Sequence, residues 1–436
     1  MKQTERPKVV IVGGGFGGIE LAKNLKNAPV DVVLLDKHNY HTFQPLLYQV
    51  AIGAIEADSV GFPIRRIFTK QENFKFLLTA VEKICPDEHK VITTMGDIIY
   101  DYLIIATGSN TNFFGNQSMA QLAMPMKNIP EALNIRSLIL QNLEAVSFTD
   151  DLKEKMALMT FVVAGGGPTG VELAGALAEM RKLILMKDYH DLKSSDMKVY
   201  LIEGKPELLA SMSDKASSTA KKYLKNKQVT IFNGVHVDSY DGFTLKVDDG
   251  MVIETKNVFW AAGVKGQVPD GVPPAIINKS GRIETDNINR VKGFSNIFAI
   301  GDVSAVTTEE TPNGHPGVAP AALQQGRQLA KNLIRILNSE EPVPFQYKDK
   351  GSLATIGRNQ AVADLGKIRL QGFVAWVLWG LVHIMSIAGF TNKGVIFFNW
   401  LVNYVNGNSD NRLIIRFFNN KTRMIDPNEN SLKGVL

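Results

Sequence analysis

Cysteine is almost missing from this chain of 436 residues, where Cys85 stands alone. A single thiol cannot close an intramolecular disulfide, so dithiol redox chemistry is excluded. Iron–sulfur clusters held by four thiolates are excluded for the same reason. Histidine is scarce as well: the seven residues are scattered, and none falls with cysteine or carboxylates at zinc-ligand spacing. No metal is therefore expected, and any redox agent is an organic cofactor. Net charge is low, +5 on 48 Lys and Arg against 43 Asp and Glu, and no nucleic-acid partner is expected. A secretory leader is not evident either. Met1 to Pro7 is polar and a strand pattern follows at once, so a cytoplasmic site is expected. Long apolar runs are absent except for one, Gly372 to Phe390.

Glycine is plentiful, and its placement is informative. Val9-Val10-Ile11-Val12-Gly13-Gly14-Gly15-Phe16-Gly17-Gly18 and Phe161-Val162-Val163-Ala164-Gly165-Gly166-Gly167-Pro168-Thr169-Gly170 each read as a buried strand, a tight turn and a helix start. Both keep the G-x-G-x-x-G spacing, as Gly13/Gly15/Gly18 and Gly165/Gly167/Gly170. The glycines let the backbone turn sharply and approach a pyrophosphate, which then rests on a helix N-terminus. Each fingerprint has an acid at the end of the next strand. Asp36 stands 23 residues beyond Gly13, and Glu203 stands 38 beyond Gly165. The second spacing exceeds the usual ~20, and the excess falls in Met180 to Asp196, which reads as an extended helix and a polar loop. A carboxylate there accepts from a ribose diol and favours NAD-type over NADP-type nucleotides. Two such sites in one chain point to electron transfer between two dinucleotides.

The fold class expected is α/β: two Rossmann-like dinucleotide-binding domains, a two-dinucleotide-binding flavoprotein architecture, followed by an amphipathic helical membrane-anchoring segment. Residues 1–115 and 285–345 are expected to form a discontinuous first domain, 116–284 the second, and 346–436 the C-terminal segment. Tyr102–Ile105 runs into Ala106-Thr107-Gly108, and Phe259-Trp260 runs into Ala261-Ala262-Gly263, so the second domain repeats the plan of the first. Between them, residues 115–155 read as a polar, helical crossover. Hairpin-like strands are expected from Val229 to Val258, with turns at Asp241-Gly242 and Asp249-Gly250. Asn296-Ile297-Phe298-Ala299-Ile300-Gly301-Asp302 reads as a strand returning to the first domain. Asp302 either reaches a cofactor's polyol chain or caps the next helix.

The C-terminal stretch carries the basic excess. Residues 346–436 hold 11 Lys and Arg against 5 Asp and Glu. At 19 residues, Gly372 to Phe390 is just long enough to span a bilayer. Val395 to Val402 is a second apolar run, and Lys367, Arg369, Lys393, Arg412 and Arg416 flank the two. Core helix, spanning helix and interfacial pair all remain open. Three tryptophans and the flanking cations favour the interfacial pair.

These motifs together, with Phe43-Gln44-Pro45-Leu46-Leu47-Tyr48-Gln49-Val50-Ala51 and Val171-Glu172-Leu173-Ala174-Gly175, resemble the type II NADH dehydrogenases over essentially the whole chain. These are single-subunit, non-proton-pumping NADH:quinone oxidoreductases. The resemblance implies FAD in the first fingerprint and NADH, as substrate, in the second. Gly13, Gly15, Phe16, Gly17, Gly18, Asp36, Val81, Ala106, Thr107, Gly108 and Asp302 would then serve FAD. Gly165, Gly167, Pro168, Thr169, Gly170, Glu172, Glu203, Ala262 and Gly263 would serve NADH. Glu172 matches the family's acid near the flavin–nicotinamide contact and is the catalytic candidate; otherwise it is a surface glutamate favoured by the helix dipole. Gln324, Gln325, Trp379 and His383 would line a quinone site. One departure stands out: the family writes its quinone motif as Ala-Gln-x-x-x-Gln, and Pro320 occupies the first glutamine position. The implied reaction is hydride transfer from NADH to flavin, then reduction of a membrane quinone, menaquinone or ubiquinone. The implied setting is a homodimer lying on the membrane surface, at the cytoplasmic face of the inner membrane. Sulfide:quinone and disulfide reductases share the two fingerprints but need cysteine pairs. A soluble reductase of an electron-carrier protein, or a non-catalytic FAD- and NADH-binding signalling protein, is the alternative.

Overall fold

The computed structural model describes residues 6–181, 186–190, 192–307, 311, 314–387, 390–406, 412–414 and 418. Ile415 and Arg416 lie outside the described residues, as does part of the Met180–Asp196 stretch; within that stretch a helical turn is described at Met186–Asp188.

Two parallel sheets of five strands organise the chain. The first runs, in spatial order, Ile297–Ala299, Tyr102–Ile105, Lys8–Val12, Asp31–Asp36 and Phe74–Leu78. The second runs Met124–Pro125, Asn257–Trp260, Thr160–Ala164, Lys198–Glu203 and Val229–Asn233. Their central strands are apolar almost throughout and buried on both faces, as helices on both sides of a parallel sheet require. Phe298 pairs with Ile104, so the chain does return to the first sheet after completing the second.

The first sheet claims more of the chain than its sequence suggests. The sequence pattern places residues 267–284 in the second domain. Ile283 instead lies fully buried in one core with Val10, Val12 and Leu103, and Val268, Val272 and Ile276 pack against that core. Ile84 N–H also donates to Asp270 O. The crossover is less polar than expected: its main helix, Ile129–Val146, buries Ile135, Ile139, Leu140 and Leu143. Only part of the Val229–Val258 stretch forms a meander, Val237–Tyr240, Thr244–Val247 and Val252–Glu254; its outer strands join the parallel sheet.

Residues 352–371 form an antiparallel sheet that the helical expectation missed: Ser352–Gly357, Gln360–Leu365 and Ile368–Gln371. Alternating apolar residues around Gly357-Arg358-Asn359 and Gly366-Lys367 were the available signal. This sheet lies on the helix Pro168–Met180. Gly175 permits the approach, because a Cβ there would sit 2.3 Å from Ile356 O.

From the sheet emerge two helices, Gly372–Ser386 and Phe390–Asn406. Ile387 adopts extended backbone and ends the first at 15 residues, about 22 Å of helix. The hydrocarbon layer is about 30 Å thick. Among the described residues, no helix is long and apolar enough to cross a membrane, which removes the spanning reading of 372–390. The pair instead buries Ala375, Trp379 and Ile396 against the body while Phe373, Val374, Leu381, Met385, Phe397 and Phe398 are exposed.

Candidate functional site

The two glycine cradles are near copies. Gly13 and Gly165 take φ of +111° and +114°, a region open to glycine. A Cβ on either would strike backbone, Ala106 O at 2.3 Å in the first case and Ala261 at 2.5 Å in the second. Each strand exit therefore lies directly against its fingerprint. Gly15 and Gly167 are the N-caps of the helices Phe16–Asn24 and Pro168–Met180, and a Cβ on either would meet only open space. Open space at a helix N-terminus, lined by backbone, fits the phosphates of a dinucleotide. Pro168 opens the second helix, where its missing N–H costs no intrahelical bond.

The acids are arranged alike despite their different spacings. Asp36 Oδ2 accepts from Gly14 N–H at 2.5 Å and its Oδ1 from His38 N–H at 2.7 Å. Burial raises the Asp36 pKa against these bonds. Glu203 accepts from Gly166 N–H, and its other oxygen from Lys205 N–H at 2.8 Å. Register explains the match: Asp36 and Glu203 end strands that lie beside Val12 and Ala164. Extra residues between fingerprint and acid do not alter that register.

The exits of the two sheets are stitched together. Ser109–Thr111 pairs antiparallel with Val264–Gly266, Gln267 N–H donates to Gly108 O at 3.0 Å, and Thr107 Oγ1 donates to Gln267 O at 2.5 Å. Asp302 stands beside this seam. Its Oδ2 accepts from Ser109 Oγ at 2.6 Å and lies 3.7 Å from Lys127 Nζ. Asp302 does not cap the next helix, Ala319–Leu337, whose N-cap is Val318 with no side-chain cap. Ser109 and Lys127 carried no motif and were missed in the sequence. Val81 starts a strand just beyond Thr79, whose N–H donates to Asp36 O. His41 was missed too: it is buried, its pKa is pushed down to about 4 by desolvation, and Nδ1–H donates to Gly14 O at 3.0 Å.

Glu172 is not the surface residue that its helical position allows. It is 8% exposed, and burial pushes its pKa up to about 8. Thr355 N–H, from the C-terminal sheet, donates to Oε1 at 3.3 Å and opposes that rise. The Trp379 indole also favours the carboxylate, though Nε1 makes no hydrogen bond of standard geometry. Trp379 stacks on His383 at 4.4 Å and on Trp400 at 5.2 Å. Trp400 Nε1 donates to Gln49 Oε1, and Gln49 Nε2 donates to the Tyr48 hydroxyl, both at 2.9 Å. His383 Nδ1–H donates to Trp379 O at 2.7 Å, and desolvation pushes its pKa down to about 4. Phe43 meets His383 edge-on at 6.0 Å, and Phe16 meets Phe43 at 6.0 Å. Aromatic side chains thus run from the first fingerprint to the exposed helices.

The glutamines are engaged elsewhere. Gln325 is 2% exposed, and its Oε1 accepts from Gly301 N–H at 2.7 Å, so it braces the Gly301-Asp302 turn. Gln324 exchanges two hydrogen bonds with the Lys348 backbone, at 2.9 and 3.0 Å. Gln324 thus uses both ends of its amide within the protein, and Gln325 uses its Oε1. Pro320 sits in the first turn of Ala319–Leu337, where proline is tolerated.

Two parallel nucleotide sheets joined at their open ends define a two-dinucleotide-binding flavoprotein reductase. Accordingly, the family model described as pyridine nucleotide-disulphide oxidoreductase matches residues 7–326, and that described as NDH2 C-terminal domain matches residues 350–408. A type II NADH:quinone oxidoreductase of Mycobacterium tuberculosis is 36% identical, over 92% of this chain and 88% of its own. An internal alternative NAD(P)H-ubiquinone oxidoreductase of Arabidopsis thaliana mitochondria is 30% identical, over 94% and 87%. The solved structure of NDH2 from Plasmodium falciparum with NADH superposes at a TM-score of 0.86 and 22% identity, covering 94% of this chain and all of that one. The chain belongs to the type II NADH:quinone oxidoreductases. A sulfide:quinone oxidoreductase of Aquifex aeolicus shares the fold at a TM-score of 0.69 and 20% identity; the lone, half-buried Cys85 separates this chain from cysteine-pair chemistry.

Proposed function

We infer that this protein oxidises NADH and passes two electrons through FAD to a membrane quinone, without pumping protons. The observation that carries this reading is the seam between Ser109–Thr111 and Val264–Gly266, which joins the open ends of both cradles. When bound, FAD supplies the chemistry, accepting hydride and reducing quinone. Gly13, Gly15, Gly18 and Asp36 are proposed to hold its ADP half, with Thr107, Gly108, Val81 and Asp302 along the remainder. Gly165, Gly167, Gly170 and Glu203 are proposed to hold NADH, with Thr169, Ala262 and Gly263 beside it. A carboxylate at Glu203 supports NADH over NADPH.

Glu172 has the properties of a proton-holding group. Its carboxyl is mostly protonated near neutrality, so Oε can donate. Trp379 lies beside it, and neutral His383, stacked on Trp379, contributes an uncharged ring. Trp379 and His383, with Gln324 and Gln325, are the proposed quinone-side residues. Exposed Phe373, Val374, Leu381 and Met385 support seating on a membrane surface, where quinone resides. A homodimer on the cytoplasmic face of the inner membrane completes the proposal, supported by family resemblance and the basic C-terminal balance.

Anaerobic stopped-flow tests the reading. NADH should bleach bound flavin, and menaquinone or ubiquinone analogues should then restore its colour. Flavin that stays oxidised under NADH would refute the proposal.

A further inference from the structure

One aromatic side chain stands in a conformation that packing alone does not favour. Phe114 is 67% exposed, and its φ is +52°, a left-handed value that costs free energy in a bulky residue. Asparagine or glycine adopts that backbone more easily. The surrounding loop nevertheless holds it there. Asn112 N–H donates to Gly263 O at 3.0 Å, and Asn112 O accepts from Trp260 Nε1 at 2.8 Å. Asn112 Oδ1 accepts from Phe114 N–H at 2.8 Å. Phe113 stacks on Trp260 at 5.5 Å, and Asn116 Nδ2 donates to Asp238 O at 2.6 Å. The loop is thus tied to the second domain on both sides of Phe114. The ring itself rests on Gly263, where a Cβ would lie 2.6 Å from its Cζ. Gly108, the counterpart of Gly263 in the first cradle, has no such neighbour: a Cβ there would meet nothing within 4 Å.

Strand order indicates what passes this point. In the second sheet the fingerprint strand Thr160–Ala164 lies between Lys198–Glu203 on one side and Asn257–Trp260 on the other. A dinucleotide with its pyrophosphate at the Gly167 helix start and one ribose at Glu203 must send its other half across the opposite neighbour. That neighbour ends in Ala261-Ala262-Gly263, against the Phe114 ring, and leads into the seam with Ser109–Thr111. We propose that the Phe114 ring is a wall of the NADH site, packed against the nicotinamide half where it crosses Gly263 and directing it toward the seam. This rests on the reading of the second cradle as the NADH site. It accounts for the left-handed backbone and the exposed ring together, because the ring completes its contacts on a planar ligand.

The test uses the full chain with flavin bound, as wild type, Phe114→Asn and Phe114→Tyr. Anaerobic stopped-flow gives the NADH concentration for half-maximal flavin reduction. Calorimetric titration gives the affinity for ADP-ribose, which keeps the adenosine half and lacks nicotinamide. Phe114→Asn should raise the NADH value about tenfold, near the upper end of what one aromatic contact carries, and leave ADP-ribose affinity unchanged. Phe114→Tyr, which keeps the ring, should restore the wild-type value. Phe114→Asn should also melt no lower than wild type, because asparagine tolerates the left-handed backbone. An NADH value unmoved by Phe114→Asn would overturn the proposal and leave the redox reading intact. Equal losses for NADH and ADP-ribose would put the contact on the adenosine half and overturn it as well. A lower melting temperature for Phe114→Asn would make the ring a packing residue, again overturning it. Wild-type flavin that NADH does not reduce would instead overturn the redox reading, and this inference with it.

Discussion

Glu172→Gln isolates the buried carboxyl, and its consequence can be worked from the structure. In the unfolded chain the group titrates near 4.5; in the fold its pKa is about 8, chiefly through desolvation. Between these values the native state holds a proton that the unfolded chain has released. Stability therefore falls as pH rises through that window. Each pH unit is worth 1.36 kcal/mol, so the whole interval amounts to ~5 kcal/mol lost by the time pH passes 8. At pH 7 about nine in ten molecules carry the neutral carboxyl. The glutamine variant keeps size and polarity but cannot ionise. Wild-type melting temperature should accordingly decline relative to the variant between pH 5 and pH 8, and level off above it. Infrared difference spectra should show a protonated carboxyl band that vanishes near pH 8 and is missing from the variant. A carboxyl band lost near pH 4.5, with parallel melting curves for both proteins, would refute the burial argument.

Three further outcomes test other parts of the reading. Glu203→Arg should weaken NADH and admit NADPH, because a cation replaces the ribose carboxylate; steady-state KM for both nucleotides checks this, and an unchanged preference removes Glu203 from the site. Gly175→Ala should destabilise the protein by about 1–3 kcal/mol, the usual cost of overpacking, since its Cβ would meet Ile356 O at 2.3 Å; denaturant melts measure the loss, and limited proteolysis should cut first at the displaced 352–371 sheet. Replacing Phe373, Val374, Leu381 and Met385 with serine or glutamine should release the protein from membranes while flavin stays bound, because these residues are exposed and Trp379 is untouched. Membrane flotation reads that result, and retention in the lipid fraction would contradict the interfacial assignment.

What the sequence determined alone was local. A strand, a glycine turn and a helix start are set by near neighbours, and so both cradles and their acids were legible, even with 38 residues between Gly165 and Glu203. The return of Ile297–Ala299 to the first sheet was legible as well, because a short apolar strand ending in Gly301-Asp302 repeats a recognisable plan. Tertiary structure decided whatever depends on distant segments. Glu172 is buried where Thr355, 183 residues later, and Trp379 meet it. Gln325 is buried with its Oε1 on the Gly301 N–H, and residues 267–284 pack against the first sheet, where Ile283 joins its core. The spanning helix was lost to one extended residue, Ile387, which no hydropathy pattern marks. Backbone turns answer to residues a few places away, whereas desolvation and hydrogen-bond choice answer to whatever the finished fold brings alongside.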